Sequence, residues 1–193
     1  MGRWEPDAGG RLREAALDLY VERGYEQTTV AEIAQRAGVT ARTFFRHFAD
    51  KREVLFANTP ALHDRLVEAL EAAPAHARPL DAVAAALDAV TEVLGQHREF
   101  SRRRQSVIDA NAELRERELI KLASLSAALA GGLRRRGVAE PDASLAAESG
   151  IVVLRVAFER WVAGSGSGEG SGEETLAGAM KTAWDRLRAV TRR

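Results

Sequence analysis

The chain has 193 residues, 46% of them hydrophobic, and its 28 Lys and Arg balance 28 Asp and Glu. That length and apolar content allow one large helical domain, or a small domain fused to a medium one, and exclude global disorder. Zero net charge argues against nonspecific coating of nucleic acid, and the absence of cysteine excludes disulfide and thiolate chemistry.

Met1 to Gly10 mixes Arg3, Trp4, Glu5, Pro6 and Asp7 and lacks an apolar h-region, so it reads as an arm, not a secretory signal. Two readings of residues 1–10 stand side by side: a disordered arm, or one that reaches a DNA minor groove through Arg3 and Trp4. A first helix is expected from Arg11 to Arg23, with Leu12, Ala16, Leu19 and Tyr20 at helical spacing and Gly24 as the stop.

Thr29 and Glu32 form a capping-box pattern ahead of a short helix to Ala37. Gly38 stops it, Val39 is the apolar residue for the turn to bury, and Thr40 caps a third helix to Phe48. Two short helices around a glycine turn, with Ile33, Ala34, Phe44 and Phe48 as the small core, follow helix-turn-helix grammar. Asp50 with Glu53 repeats the cap signal for a fourth helix near Lys51, interrupted at Asn58-Thr59-Pro60.

Further helices are expected at Asp81 to Gln96, Phe100 to Ala110, Ala112 to Arg136, Asp142 to Ala163 and Glu173 to Thr191. Residues 164–172 are nearly all glycine and serine and read as a flexible, disordered loop. The most apolar stretch, Leu145 to Ala163, carries Glu148, Arg155, Glu159 and Arg160, which excludes a lipid-facing span. The expectation is an all-α chain of about nine helices. A three-helix helix-turn-helix domain spans 11–57, and a helical ligand-binding and dimerisation bundle spans 58–193.

Between Arg36 and Arg52 stand five basic residues (Arg36, Arg42, Arg46, Lys51 and Arg52) against one acid, Asp50. The helix after Thr40 suits a major groove, with its first residues at base edges. Arg42 is the candidate for direct readout, bidentate to a guanine, while Arg46, His47 and Lys51 are phosphate clamps. The plainer reading leaves Arg46 and His47 solvated and makes Thr29 and Thr40 caps only.

The order and spacing T-x-x-x-I-A-x-x-A-G-V-x-x-x-T-F-F-R-H-F-x-x-K, Thr29 to Lys51, resembles the DNA-binding domain of TetR-family regulators. The resemblance implies phosphate contacts from Thr29 and Thr40, and base-facing positions at Ala41, Arg42 and Thr43, with Ala31 a further contact. It also implies backbone contacts from His47 and Lys51. Phe45 stands where tyrosine is usual and cannot donate a hydrogen bond to phosphate, so its contact would be van der Waals only.

In the second half, Phe100 to Gly137 is similar to the TetR subset with an acyl-CoA-like ligand domain, as in regulators associated with mycofactocin genes. The carrying features are the Arg102 to Arg104 cluster, the turn from Asn111 to Glu118 and the ending Trp161 to Ala163. Read from the residues themselves, Arg102, Arg103 and Arg104 are candidates to hold acyl-CoA phosphates, at most one or two of them converging and Arg103 foremost, and Val107, Leu122, Leu125, Leu154 and Phe158 are candidates to line an apolar cavity. A solvated basic run and a filled core are the alternatives. Apolar residues on two sides of the Asp142 helix imply burial on two sides; Val152 and Val156, with Met180, Trp184 and Leu187, are the expected homodimer interface.

No cofactor is expected. The four histidines at 47, 63, 76 and 97 show no metal-binding pairing, and there is no G-x-S-x-G, P-loop or dinucleotide fingerprint, so an enzyme is not expected. The sequence reads as a cytoplasmic, ligand-responsive repressor that binds palindromic operator DNA as a homodimer. A ligand-free architectural DNA binder is the remaining rival.

Overall fold

The computed structural model describes residues 7–164 and 174–191. Among them every regular element is a helix: α1 (Ala8–Arg23), α2 (Val30–Arg36), α3 (Ala41–His47), α4 (Thr59–Ala72) and α5 (Pro79–Leu94), then α6 (Arg98–Asp109), α7 (Ala112–Arg135), α8 (Asp142–Ala163) and α9 (Leu176–Thr191). A short 3-10 turn at Glu53–Phe56 takes the place of the first part of the expected fourth helix. The expected all-α order is therefore observed. The stretch with Arg3 and Trp4, and residues 165–172 of the glycine-serine loop, lie outside the described residues. No described helix is long and apolar enough to cross a membrane.

The helix boundaries have local causes. α1 begins at Ala8, three residues before the expected start. Asp7 takes a left-handed conformation (φ 68°), and its carboxylate accepts from Gly10 N at 2.7 Å, filling the N-cap role. Pro79 opens α5, where its missing N–H costs nothing. The C-terminal end of α4 is closed by Arg136, which donates to the carbonyls of Leu70 (3.2 Å), Ala73 (2.9 Å) and Pro74 (2.6 Å). A cation there satisfies orphan carbonyls and complements the helix dipole.

The chain divides into two compact units. Of the described residues, one unit comprises those up to Asn58 with Arg103–Glu118; the other comprises Thr59–Arg102 with those from Leu119 onward. The elbow from late α6 to early α7, expected within 58–193, groups with the N-terminal helices. The cause is a set of ionic and polar ties. Arg103 donates to Asp18 (2.5 Å), Arg104 to Leu55 O (2.7 Å), Arg117 to Glu53 (2.6 Å), and Arg52 to Glu113 (2.7 Å). Arg104 also lies over the Phe56 ring, 5.1 Å from its centroid, and burial lowers its pKa while Glu118, 3.5 Å away, favours its charge.

Arg103 and Val107, expected in a ligand cavity, are thereby placed in the N-terminal unit, with Arg103 committed to Asp18 and Val107 buried. Leu125 and Leu154 are buried in the core of the second unit, with Leu122 and Phe158 packed against it. Its helices are read off helical spacing: Leu62, Leu66 and Leu70 on α4, and Val83, Leu87 and Val90 on α5, all point inward. Gly150 of α8 is small because a Cβ would collide with Val83 of α5.

Met180 (0% exposed) and Trp184 (5%) are enclosed in this same core, and Leu187 packs against it. The expectation that Met180 and Trp184 face a partner is corrected: α9 buries them against its own protomer. Val152 (45%) and Val156 (47%) do face outward on α8, one turn apart, with Leu145 further along the helix also exposed.

Candidate DNA interface

The candidate interface is built on α2, its turn and α3. Thr29 is the N-cap of α2: its hydroxyl accepts from Glu32 N at 3.3 Å, and the Glu32 carboxylate accepts from Thr29 N at 2.9 Å. These bonds, the Thr29 backbone N–H first, hold the Glu32 pKa below its ordinary value. α2 ends at Arg36, and in the turn beyond it Gly38 takes φ 68° while Val39 N reaches back to Ala34 O at 2.9 Å. Glycine, with no Cβ, takes that conformation without steric cost. Thr40 caps α3, accepting from Thr43 N at 3.2 Å. Val39 is half-buried, less enclosed than expected.

Beneath α3, Phe44 is fully buried, and its ring meets those of Phe45 and Phe48, each with centroids 5.5 Å away. Ile33 and Ala34 complete the small core. With Phe44 turned inward, Ala41, Arg42, Phe45, Arg46 and His47 are exposed and Thr43 is half-buried. Ala31 on α2 is exposed as well, as are Thr29 and Thr40. Arg42, Arg46 and His47 form no ion pair or hydrogen bond among the described residues.

The other basic residues of this stretch are already committed. Arg36 holds Glu22 through two bonds (3.1 and 2.8 Å), which keeps the Glu22 carboxyl below its usual range. Arg52 bonds Asp50 at 2.6 Å as well as Glu113, and this pairing holds the Asp50 pKa low. Lys51 corrects an expectation. Its ammonium donates to three backbone carbonyls, Tyr25 (2.9 Å), Thr28 (3.1 Å) and Glu26 (3.3 Å), and sits 4.3 Å from the centre of the Tyr25 ring. An ammonium has three donors, so this lysine braces the α1–α2 loop and is not poised as a phosphate clamp.

Sequence reasoning missed the two tyrosines that complete this brace. Tyr20 donates to Lys51 O at 2.6 Å, and Tyr20 meets Tyr25 edge-on at 5.3 Å. Burial pushes both phenols upward, so they stay neutral, Tyr20 donating through its hydroxyl and Tyr25 contributing its carbonyl and ring. No local signal could have revealed them, because their partner lies 26 to 31 residues away. Among the described residues no cluster of three His, Asp or Glu is placed to hold a metal ion.

A short helix on a tight turn, with two uncommitted arginines on its outer face, defines a helix-turn-helix domain. Residues 12–57 match the family described as bacterial regulatory proteins, tetR family, which places this N-terminal segment among the DNA-binding domains of that family. It is 45% identical over 80 residues to the transcriptional regulator TcmR of Streptomyces glaucescens. That match takes in 42% of this chain and 35% of TcmR, so the chain spans about a third of that relative.

The fold is similar to two solved structures. One is FadR from Bacillus subtilis in complex with stearoyl-CoA, with a TM-score of 0.61 at 20% identity, covering 92% of this chain and 96% of that one. The other is a complex with triclosan of SmeT, the Stenotrophomonas maltophilia efflux-pump repressor, with a TM-score of 0.61 at 22% identity, covering 95% and 90%. TcmR is a transcriptional regulator and SmeT is a repressor.

Proposed function

We propose that the chain is a cytoplasmic, ligand-responsive repressor that binds a palindromic operator as a homodimer and leaves it when a small apolar or acyl-CoA-like effector binds. The observation that carries this reading is the outer face of α3, where Arg42 and Arg46 stand exposed and uncommitted on a helix capped by Thr40 in a TetR-type domain. Arg42 is the base-reading residue, to a guanine; Arg46 and His47 hold phosphates, joined by Thr29 and Thr40; Ala31, Ala41 and Thr43 complete the contact face.

The homodimer forms through the outer stripe of α8, with Leu145, Val152 and Val156, since exposed apolar side chains at helical spacing gain by burial against a second copy. The effector site lies in the second unit among Leu122, Leu125, Leu154 and Phe158. Support for an apolar effector comes from the stearoyl-CoA and triclosan complexes of the two similar folds. Arg103 is not part of the effector site, because it is spent on Asp18.

Effector and DNA are coupled by linkage: each favours a different spacing of the two α3 helices, so each weakens the other. The transmission elements are α4, which begins at Thr59-Pro60, and helices α6 and α7, both of which contribute residues to both units. The test is fluorescence anisotropy of labelled DNA from upstream of the protein's own coding region, titrated with stearoyl-CoA at fixed salt. Saturable binding reversed by micromolar ligand is expected. Binding indifferent to apolar ligands would remove the effector from this reading.

A further inference from the structure

On α3 the spacing of four residues sorts the outer face into two rows. Ala41 and Phe45 form an apolar row; Arg42 and Arg46 form a cationic row beside it. Phe45 is 58% exposed and is the one aromatic among the exposed large apolar side chains of the described residues. Its ring is not loose. It stands at 83° to the ring of Phe44, centroids 5.5 Å apart, and Phe44 is fully buried. The ring is thus presented outward from a fixed base, an arrangement that suits a contact surface.

The surroundings narrow the chemistry of what it meets. α3 carries no acid, and on α1 and α2, which pack against it, the carboxylates Glu22 and Glu32 are held by Arg36 and Arg23. A partner for this face is therefore anionic overall and apolar at one or two points. In a DNA major groove the apolar point is the thymine C5-methyl, which phenylalanine and alanine contact, while arginine pairs with guanine O6 and N7. Phe45 has no hydroxyl with which to hold a phosphate, so its ring gains affinity only by excluding water from another apolar group.

We infer that the apolar row of α3 reads thymine methyl groups: Phe45, with Ala41, contacts a thymine in each half-site beside the base pair read by Arg42. This rests on α3 being the DNA-contacting helix and adds which base feature it senses. Phe45 is a specificity residue, not merely a spacer against the backbone.

The test begins with the full chain and a pool of random duplex DNA, from which bound sequences are selected. Each thymine of the enriched site is then replaced singly by deoxyuridine, which removes only the methyl group, and affinity is read by anisotropy at fixed salt. At one or two positions per half-site, a loss of roughly four-fold is expected, the scale of one buried methyl. Phe45→Ala should show a comparable loss on the thymine site and no further loss with deoxyuridine. Phe45→Tyr, which keeps the ring, should keep the sensitivity and guards against a folding defect in the first variant. An enriched site whose every deoxyuridine version binds wild type equally well would overturn the inference and leave DNA binding standing. Failure to enrich any sequence would overturn both.

Discussion

Arg103 Nη2 donates to Asp18 Oδ1 at 2.5 Å, tying late α6 to α1 within the N-terminal unit. Both side chains are about two-thirds covered, so the pair is partly screened by solvent. A double-mutant cycle with Asp18→Asn and Arg103→Gln, followed by urea unfolding, should give a coupling of about 0.5–1 kcal/mol. Additive effects of the two changes would show that the contact contributes no net stability.

Lys51 and Arg46 should behave oppositely. Lys51→Met removes three bonds to loop carbonyls and should destabilise the chain by about 1.5–3 kcal/mol, with the salt dependence of DNA binding unchanged. Arg46→Ala should leave thermal unfolding nearly unmoved and lower the slope of log affinity against log salt by about 1. Unfolding curves and salt titrations of both variants separate the roles. A Lys51→Met protein of full stability with a reduced salt slope would restore lysine as a phosphate clamp.

Asp50 supplies an acid-sensitive term. Its folded pKa lies below the ordinary 3.8, chiefly through the Arg52 hydrogen bond. A depressed carboxylate contributes stability that is fully present above its unfolded value and is lost as pH falls through the folded one. Asp50→Asn should therefore be less stable than wild type at neutral pH, and the gap should close as pH falls below 3.8. Urea midpoints of the two proteins across that range are the measurement. A gap that is constant with pH would assign the effect to the cap geometry alone.

The two sides of the α8–α9 pair can be told apart. Val156→Glu places a charge on an exposed site and should convert dimer to monomer in sedimentation velocity with little change in protomer unfolding. Trp184→Ala opens a cavity in the core and should cost about 3–5 kcal/mol. A Val156→Glu protein that stays dimeric at micromolar concentration would move the interface away from α8.

The local features of the DNA-binding unit were legible because their causes are local. Thr29 with Glu32, Thr40 with Thr43, and Gly38 at φ 68° are each settled within a few residues of chain. The uses of the cations were not legible. Lys51 is claimed by carbonyls 23 to 26 residues back, Arg104 by Leu55 O 49 residues back and Arg103 by Asp18 85 residues back. An exposed arginine and a committed one look alike in sequence. The same holds for α9, whose apolar stripe was clear. Which of its side chains fill the protomer core depends on α5 and α8 closing over Met180 and Trp184.

The central claim is that the outer face of α3 reads an operator. The most direct measurement compares wild type and Arg42→Ala, by anisotropy at fixed salt, on a selected operator duplex and on a scrambled duplex of the same composition. The account predicts a loss of roughly 5- to 150-fold on the operator, equivalent to about 1–3 kcal/mol, and unchanged weak binding to the scrambled duplex. Equal affinity of the two proteins for the operator would contradict it.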